Sequence, residues 1–346
     1  MKKVSLFGLG AGLLAALTLT AEPASAQQST LDIVKSRGHL RCQLGTPAPG
    51  WYMLSDSGKW SGFDYENCRA VSAAIFGDPD KIEVQSVTSA VRFTAMANGE
   101  SDMLSRTTTW TLFRDTQLGL DFTTVDFYDG QGFMVLKDAG VNSALELKGA
   151  TVCVATGTTT ELNLADYSRT NGLDIKPVVF EDSNVRDNTF FTGGCDAITN
   201  DKSSLASTRA KAPDTTIFKI LPETISKEPL GPVVRQNDSQ WKDLVQWSLY
   251  AMIAAEEYGV SSANIDKVIA ETTNPEIKRM FGVEGDLNKG LGVDAKWAYN
   301  IIKMVGNYGE NYEEFMGEKT VMNIPRAGSP NALWTKGGLL YSPPFR

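Results

Sequence analysis

Apolar positions along this chain alternate between two spacings. Phe93, Met96 and Ala97 fall at i, i+3 and i+4, a helical face, and Gly99 then supplies a helix stop. The segment 101–105 that follows reads as a strand. The passage recurs: Gly99-Glu100-Ser101-Asp102-Met103-Leu104 is matched by Gly193-Gly194-Cys195-Asp196-Ala197-Ile198, both in the order Gly-x-x-Asp-apolar-apolar. Gly38-His39-Leu40-Arg41-Cys42 likewise matches Gly149-Ala150-Thr151-Val152-Cys153, each opening a strand with cysteine at the same offset. Two matches in the same order predict two similarly built lobes, the first beginning near Gly38 and the second near Gly149. β-rich runs alternating with helical periodicity predict α/β architecture with mainly parallel sheets.

Between the lobes, 123–135 (TTVDFYDGQGFMV) is β-prone with glycines at 130 and 132, which suits a strand crossing from one lobe to the other. The segment 225–234 (ISKEPLGPVV) suits the return. The last third is helical. Trp241, Leu244, Val245, Leu249 and Met252 form a stripe ending at Gly259, and a second helical segment is expected from Ile265 to Phe281. Such stripes are core before they are cofactor contacts. The Gly- and Pro-rich tail, Ala327 to Arg346, is expected to wrap the surface without chemistry of its own. The resulting division is 27–129 for the first part of lobe 1, 130–231 for lobe 2, and 232–346 for the rest of lobe 1 with a helical extension.

The first 26 residues read as an export signal. Lys2 and Lys3 form a charged start, Val4 to about Leu19 an apolar run, and Ala24-Ser25-Ala26 a small-x-small cleavage site. A retained anchor is the alternative, but the run falls short of the ~20 apolar residues of a spanning helix. Cleavage after Ala26 places the mature chain in the periplasm. The formal charge of −8 argues against nucleic acid as a partner. Four cysteines in an exported chain read as two disulfides. Three connectivities exist, and the local pairs Cys42–Cys68 and Cys153–Cys195 are expected because each falls within one lobe. With no CxxC spacing and His39 as the only histidine, no metal and no cofactor are expected.

Candidate chemistry concentrates between Gly99 and Phe122. A short apolar strand, Met103-Leu104, runs into a hydroxyl-rich turn containing Thr107 and Thr109, and Arg114 follows. A guanidinium offers a planar fork for a carboxylate, and hydroxyls and backbone N–H groups supply further donors. No poised proton acceptor sits among them, so the segment reads as capture rather than conversion. The plain alternative is a solvated turn with Arg114 paired to Asp115 or Asp121.

At the level of longer motifs the chain resembles the type 3 solute-binding proteins of ABC amino-acid importers, and within them the general L-amino-acid-binding proteins. The resemblance rests on Gly62-Phe63-Asp64, RFTAMANGESDMLSRTTTWT, DGQGFMV, VCVATGTTTELNLADY, GGCDAITNDKSSLA, LPETISKEPLGPVVR and VGNYGENYEEF. It implies a two-lobed periplasmic binding protein, or Venus flytrap, with two interlobe crossing strands. It implies a monomer that clamps a free L-amino acid and delivers it to an inner-membrane ABC permease. In that pattern Arg114 grips the α-carboxylate with Thr109 and Thr107 beside it, Asp201 takes the α-ammonium, and Thr158, Thr159 and Thr160 close from lobe 2. A buried zwitterion needs both charges paired, which these residue types can provide. A helix opening after Thr160 would add partial positive charge, although Thr158 to Thr160 and Asp201 also read as helix N-caps.

Arg92 and Ser89 resemble positions that face the ligand side chain in glutamate- and aspartate-binding relatives, and Arg92 alternatively forms a surface ion pair. Arg106 stands where many relatives have a small residue; it either reads an acidic side chain or locks the hinge through Asp126 or Asp129. Trp51 and Tyr52 are expected as an aromatic lid or as buried packing. Polar and acidic amino acids such as glutamate, glutamine and aspartate are therefore the expected ligands. The competing readings are an exported dehydratase-like enzyme using Glu161 or Asp201, and a sensory subunit presenting its closed form to a receptor.

Overall fold

The computed structural model describes residues 28–346; the export signal expected at 1–26 lies outside them. Two five-stranded sheets organise the chain. In the first, the spatial order is Ile82–Ser86, Leu40–Leu44, Met103–Leu104, Val233–Arg235, Leu120–Phe122. In the second it is Lys176–Phe180, Thr151–Ala155, Ala197–Asp201, Gln131–Leu136, Phe218–Ile220. The sheets are mixed rather than mainly parallel. The first three strands of each are parallel, whereas the last two pair antiparallel with their neighbours. Physically, parallel pairing needs a helical crossover, and Gln131–Leu136 and Val233–Arg235 enter their sheets straight from the connection between lobes.

That connection is a two-stranded antiparallel ladder in which Phe127–Asp129 pairs with Glu228–Leu230, with Glu228 opposite Asp129. The chain builds most of the first sheet, crosses at Phe127–Asp129, builds the second, returns at Glu228–Leu230 and completes the first with Val233–Arg235. Both disulfides join the expected partners, Cys42 to Cys68 and Cys153 to Cys195, with Cα separations of 6.2 and 5.8 Å. Each fastens a central strand to structure within its own lobe.

The amphipathic stripe at Trp241 to Met252 lies on a helix spanning Ser239–Glu257. The helix expected from Ile265 to Phe281 is broken into Ile265–Glu271 and Pro275–Met280. Pro275 has no N–H to continue a ladder and starts the second piece, while Asn274 caps it by accepting from the Glu276 N–H. No helix of the described residues is long and apolar enough to cross a membrane.

The C-terminal region packs on lobe 1 and on the hinge. Tyr312 stacks on Phe127 of the crossing strand at 6.0 Å, and the Tyr308 hydroxyl donates to the Asp126 carbonyl at 2.8 Å. From the tail, the Asn331 side chain accepts from the Tyr128 N–H (2.7 Å) and donates to its carbonyl (3.0 Å). One amide thus stands in for a third strand at the hinge. Arg326 supports this assembly by a two-point pairing with Glu256 while lying over the Tyr308 and Tyr312 rings.

Candidate binding site

The lobes are closed on one another around a cavity of about 70 Å³. The Arg92 guanidinium donates across the cleft to the Gly157 carbonyl at 3.4 Å, and the Thr109 and Thr159 hydroxyls lie 3.3 Å apart. Gly157 is required at this approach: its φ is +70°, and a Cβ there would come within 3.0 Å of the Ala90 Cα.

From lobe 1 the cavity is lined by Trp51, Tyr52, Ser89, Arg92, Arg106, Thr107 and Thr109. Trp51 is fully buried and packs edge-on against Phe127 (5.0 Å) and Phe63 (5.9 Å), so it is a fixed wall anchored to the hinge rather than a mobile lid. Thr107 holds a φ of +42°, a strained conformation for a β-branched residue, and its N–H donates to Asp64 at 2.8 Å. Burial raises the Asp64 carboxyl to about 7, against the pull of that N–H and of Arg106.

Three arginines gather here without a salt bridge among the described residues. Arg106 donates to Ser89 at 3.2 Å. It reaches neither of the hinge carboxylates expected as its partners: Asp126 accepts from Asn67 at 2.7 Å, and Asp129 is engaged by Ser203. Arg92 is 3% exposed, which rules out a surface ion pair, and its side-chain Nε has no partner. Burial, reinforced by Arg106 and Arg114, drives its pKa well below the usual range. Arg114 pairs with neither Asp115 nor Asp121. Its Nη1 is anchored on the Thr109 carbonyl at 3.0 Å, behind the lining residues rather than among them. Its pKa falls to about 10 through burial, opposed chiefly by Glu228 and then Asp201. Arg92 and Arg114 both lie over the Phe93 ring, at 4.6 and 5.0 Å.

From lobe 2 come Thr158, Thr159, Thr160 and Asp201. Thr158 caps the Thr159–Asn171 helix, accepting from the Glu161 N–H at 3.1 Å, which aims that helix N-terminus at the cavity. Glu161 itself accepts from the Gly157 N–H at 3.0 Å and stands outside the cavity. Asp201 occupies the N-cap position of the Lys202–Ala210 helix yet makes no capping bond. Asp129, from the crossing strand, caps instead, taking the Ser203 N–H at 3.2 Å. The Asp201 carboxylate is left 5% exposed, with its Oδ1 unpartnered. Burial raises its pKa well above normal, helped by Asp129 and Glu228 and opposed by Arg114 and Arg92.

The residue that sequence reasoning missed is Glu228. It is 1% exposed and accepts from Thr109 (2.6 Å), Thr159 (2.8 Å), Asn163 (2.8 Å) and Ser226 (2.5 Å). One carboxylate on the return strand therefore ties both lobes together. Its only sequence signal was a lone acid inside the β-prone stretch 225–234. Each threonine hydroxyl has a single proton, and those of Thr109 and Thr159 point at Glu228. Towards the cavity both oxygens consequently present lone pairs. Also unforeseen was Arg186, which lines the lobe 2 end of the same space.

A family model for bacterial extracellular solute-binding proteins, family 3, matches residues 42–264. The chain is 50% identical to the glutamate/glutamine/aspartate/asparagine-binding protein BztA of Rhodobacter capsulatus over 346 residues, 100% of both chains. It is 50% identical to the general L-amino acid-binding periplasmic protein AapJ of Rhizobium johnstonii, covering 96% of this chain and 97% of that one. Among solved structures, a periplasmic binding protein of an ABC transporter from Brucella ovis, with glutathione bound, superposes with a TM-score of 0.89 at 47% identity. That match covers 92% of this chain and 100% of the other. These matches, the two five-stranded sheets and the closed cleft between them agree: the chain belongs to the family 3 bacterial extracellular solute-binding proteins.

Proposed function

We propose that this protein captures free L-amino acids between its lobes and hands them to an inner-membrane ABC permease, as the periplasmic binding component of an importer. The observation that carries the reading is an unpaired charge set facing one cavity: the Asp201 carboxylate with no partner on Oδ1, opposite guanidinium groups that form no salt bridge. Isolated buried charges of both signs are costly, and a zwitterion neutralises both ends at once. In this reading Asp201 and the lone pairs of Thr109 and Thr159 receive the α-ammonium. The α-carboxylate meets the Thr107 to Thr109 turn and the helix opening at Thr159–Thr160, with Arg114 supplying positive charge from behind the Thr109 carbonyl that it holds. Arg92, Arg106 and Ser89 face the side chain and favour acidic and amide groups, in keeping with the ligands named for BztA.

The mature chain begins after Ala26 and divides at 27–129, 130–231 and 232–346, with function residing in closure rather than in turnover. Relatives named as binding proteins support that choice over a dehydratase. Isothermal titration with L-glutamate, L-glutamine and L-aspartate is the test. Micromolar or tighter binding, about −8 kcal/mol or more favourable, is expected, with at least about a hundredfold loss in Arg114→Ala. Absence of heat with every L-amino acid, or wild-type affinity in Arg114→Ala, refutes it.

A further inference from the structure

The cavity does not stop at Asp201. It continues into lobe 2 between two helices, Ser183–Phe191 and Lys202–Ala210. The second helix presents Ser204, Ser207 and Thr208 to it, with Lys211 just beyond its end, a spacing of i, i+3, i+4 and i+7 that makes one continuous face. Opposite stand Ser183, Arg186 and Asp187. Where two helices of a lobe face each other, an apolar seam is the rule. Here Phe190 and Leu205 keep the apolar contacts in a cluster of their own, while the face that lines the groove is polar and buried: Arg186 is 4% exposed, Ser207 and Thr208 2% each.

The groove is also incompletely satisfied. Arg186 grips Asp187 through Nε (3.0 Å) and Nη2 (2.7 Å), and Lys211 holds the other oxygen of Asp187 at 2.9 Å. Among the described residues no hydrogen bond engages the Arg186 Nη1, and the Ser207 Oγ is buried without a partner. Two cations against one carboxylate leave the groove with an excess positive charge. A structural ion-pair cluster alone would not explain an orphaned hydroxyl and an unused guanidinium nitrogen opening onto the ligand cavity.

We propose that this groove is a second subsite, which receives the tail of an amino acid lengthened through an amide and ending in a carboxylate. The proposal rests on the amino-acid-binding reading and extends it. Asp201 holds the ammonium at the groove mouth; the hydroxyls of Ser204 and Ser207, which both donate and accept, suit an amide, beside Thr208, whose one proton goes to Asp187 and which can only accept; Arg186 takes the terminal carboxylate. From Asp201 to Ser207 the helix rises about 9 Å, the span of two to three extended residues at about 3.5 Å each. A γ-linked acidic dipeptide fits that length.

Titration calorimetry with L-glutamate and with γ-L-glutamylglycine tests this on wild type, Arg186→Met and Ser207→Val, each checked for folding by its melting curve. Wild type is expected to bind both. Both variants are expected to weaken γ-L-glutamylglycine about tenfold or more, and Ser207→Val to do so while holding glutamate within about threefold. Ser207→Val leaves the Arg186–Asp187–Lys211 pairing intact, so it decides the matter if Arg186→Met does not fold. Binding of glutamate but not of the dipeptide by wild type overturns the subsite alone, as does an equal loss of both ligands in Ser207→Val. Failure of wild type to bind either ligand overturns the amino-acid reading and the subsite with it.

Discussion

Replacing Glu228 by glutamine measures how much of lobe closure the protein itself supplies. The carboxylate collects hydrogen bonds from Thr109 and Ser226 and, from the lobe 2 helix, from Thr159 and Asn163 at 2.8 Å each. If Glu228 stays with Thr109 as the cleft opens, the two bonds from Thr159 and Asn163 are the ones that break. A hydrogen bond to a charged group stabilises by about 1.5 kcal/mol at the low end, so these two hold the lobes by about 3 kcal/mol. Charge-assisted bonds are roughly twice as strong as neutral ones. An isosteric but neutral side chain therefore removes about 1.5 kcal/mol of closure as a lower bound, or roughly tenfold or more in the closing equilibrium, because its NH2 also replaces one of two oxygens that each accept a bond from lobe 2. Stopped-flow release of a bound amino acid should accelerate about tenfold. Small-angle scattering of the ligand-free protein should shift towards a larger radius of gyration. Glutamine also removes a negative charge that faces Arg114, which by itself would favour a bound carboxylate; ligand-free scattering isolates closure from that effect. Unchanged scattering together with release rates within twofold of wild type would refute the latch.

The Asp64 carboxyl, raised from 3.8 to about 7 mainly by burial, predicts a pH dependence of stability. Between those values the folded protein holds a proton that the unfolded chain has released, so this group lowers stability as pH rises through the window. Asp64→Asn can keep the acceptor for the Thr107 N–H, and its melting-temperature advantage over wild type should be larger at pH 8 than at pH 4; an equal difference at both pH values contradicts the assignment. Reduction of the disulfides opens loops of 26 and 42 residues. Chain entropy puts these at about 3.5 and 4 kcal/mol, so Cys153→Ser with Cys195→Ser should lower the urea midpoint and, because the unfolded chain is no longer cross-linked and exposes more surface, steepen the slope. A midpoint unaffected by the double substitution would contradict the estimate.

Local pattern made some of this architecture readable in advance. The doubled Gly-x-x-Asp and Gly-x-x-x-Cys patterns fall on matching strands of the two sheets because each records a short-range step, a turn feeding a strand, repeated in both lobes. The cysteine pairing was readable for the same reason. Antiparallel insertion of Gln131–Leu136 and Val233–Arg235 was not, since strand direction depends on where the crossing ladder delivers the chain. The break before Pro275 is legible in Asn274-Pro275, although the apolar periodicity runs on through it. Within the cavity, hydroxyls and arginines could be named from turn chemistry. Glu228 could not, because three of its four partners, Thr109 from lobe 1 and Thr159 and Asn163 from one lobe 2 helix, meet it only after folding. Nor could the role of Asp129, which caps a helix beginning at Lys202 and so releases Asp201 from that task.

The Asn331 amide on Tyr128 turns the hinge into something like a clamped leaf spring. With that residue's N–H and carbonyl both held, and Phe127 pressed against Tyr312, bending is confined to the short stretches flanking the ladder. Every residue lining the cavity precedes 212, and the family match ends at 264, yet Tyr308, Tyr312 and Asn331 all lie beyond it. Contact chemistry and elastic stiffness are thus encoded in separate parts of the chain. Two such proteins with the same cavity and different tails would grip the same molecule and differ in how long they keep it.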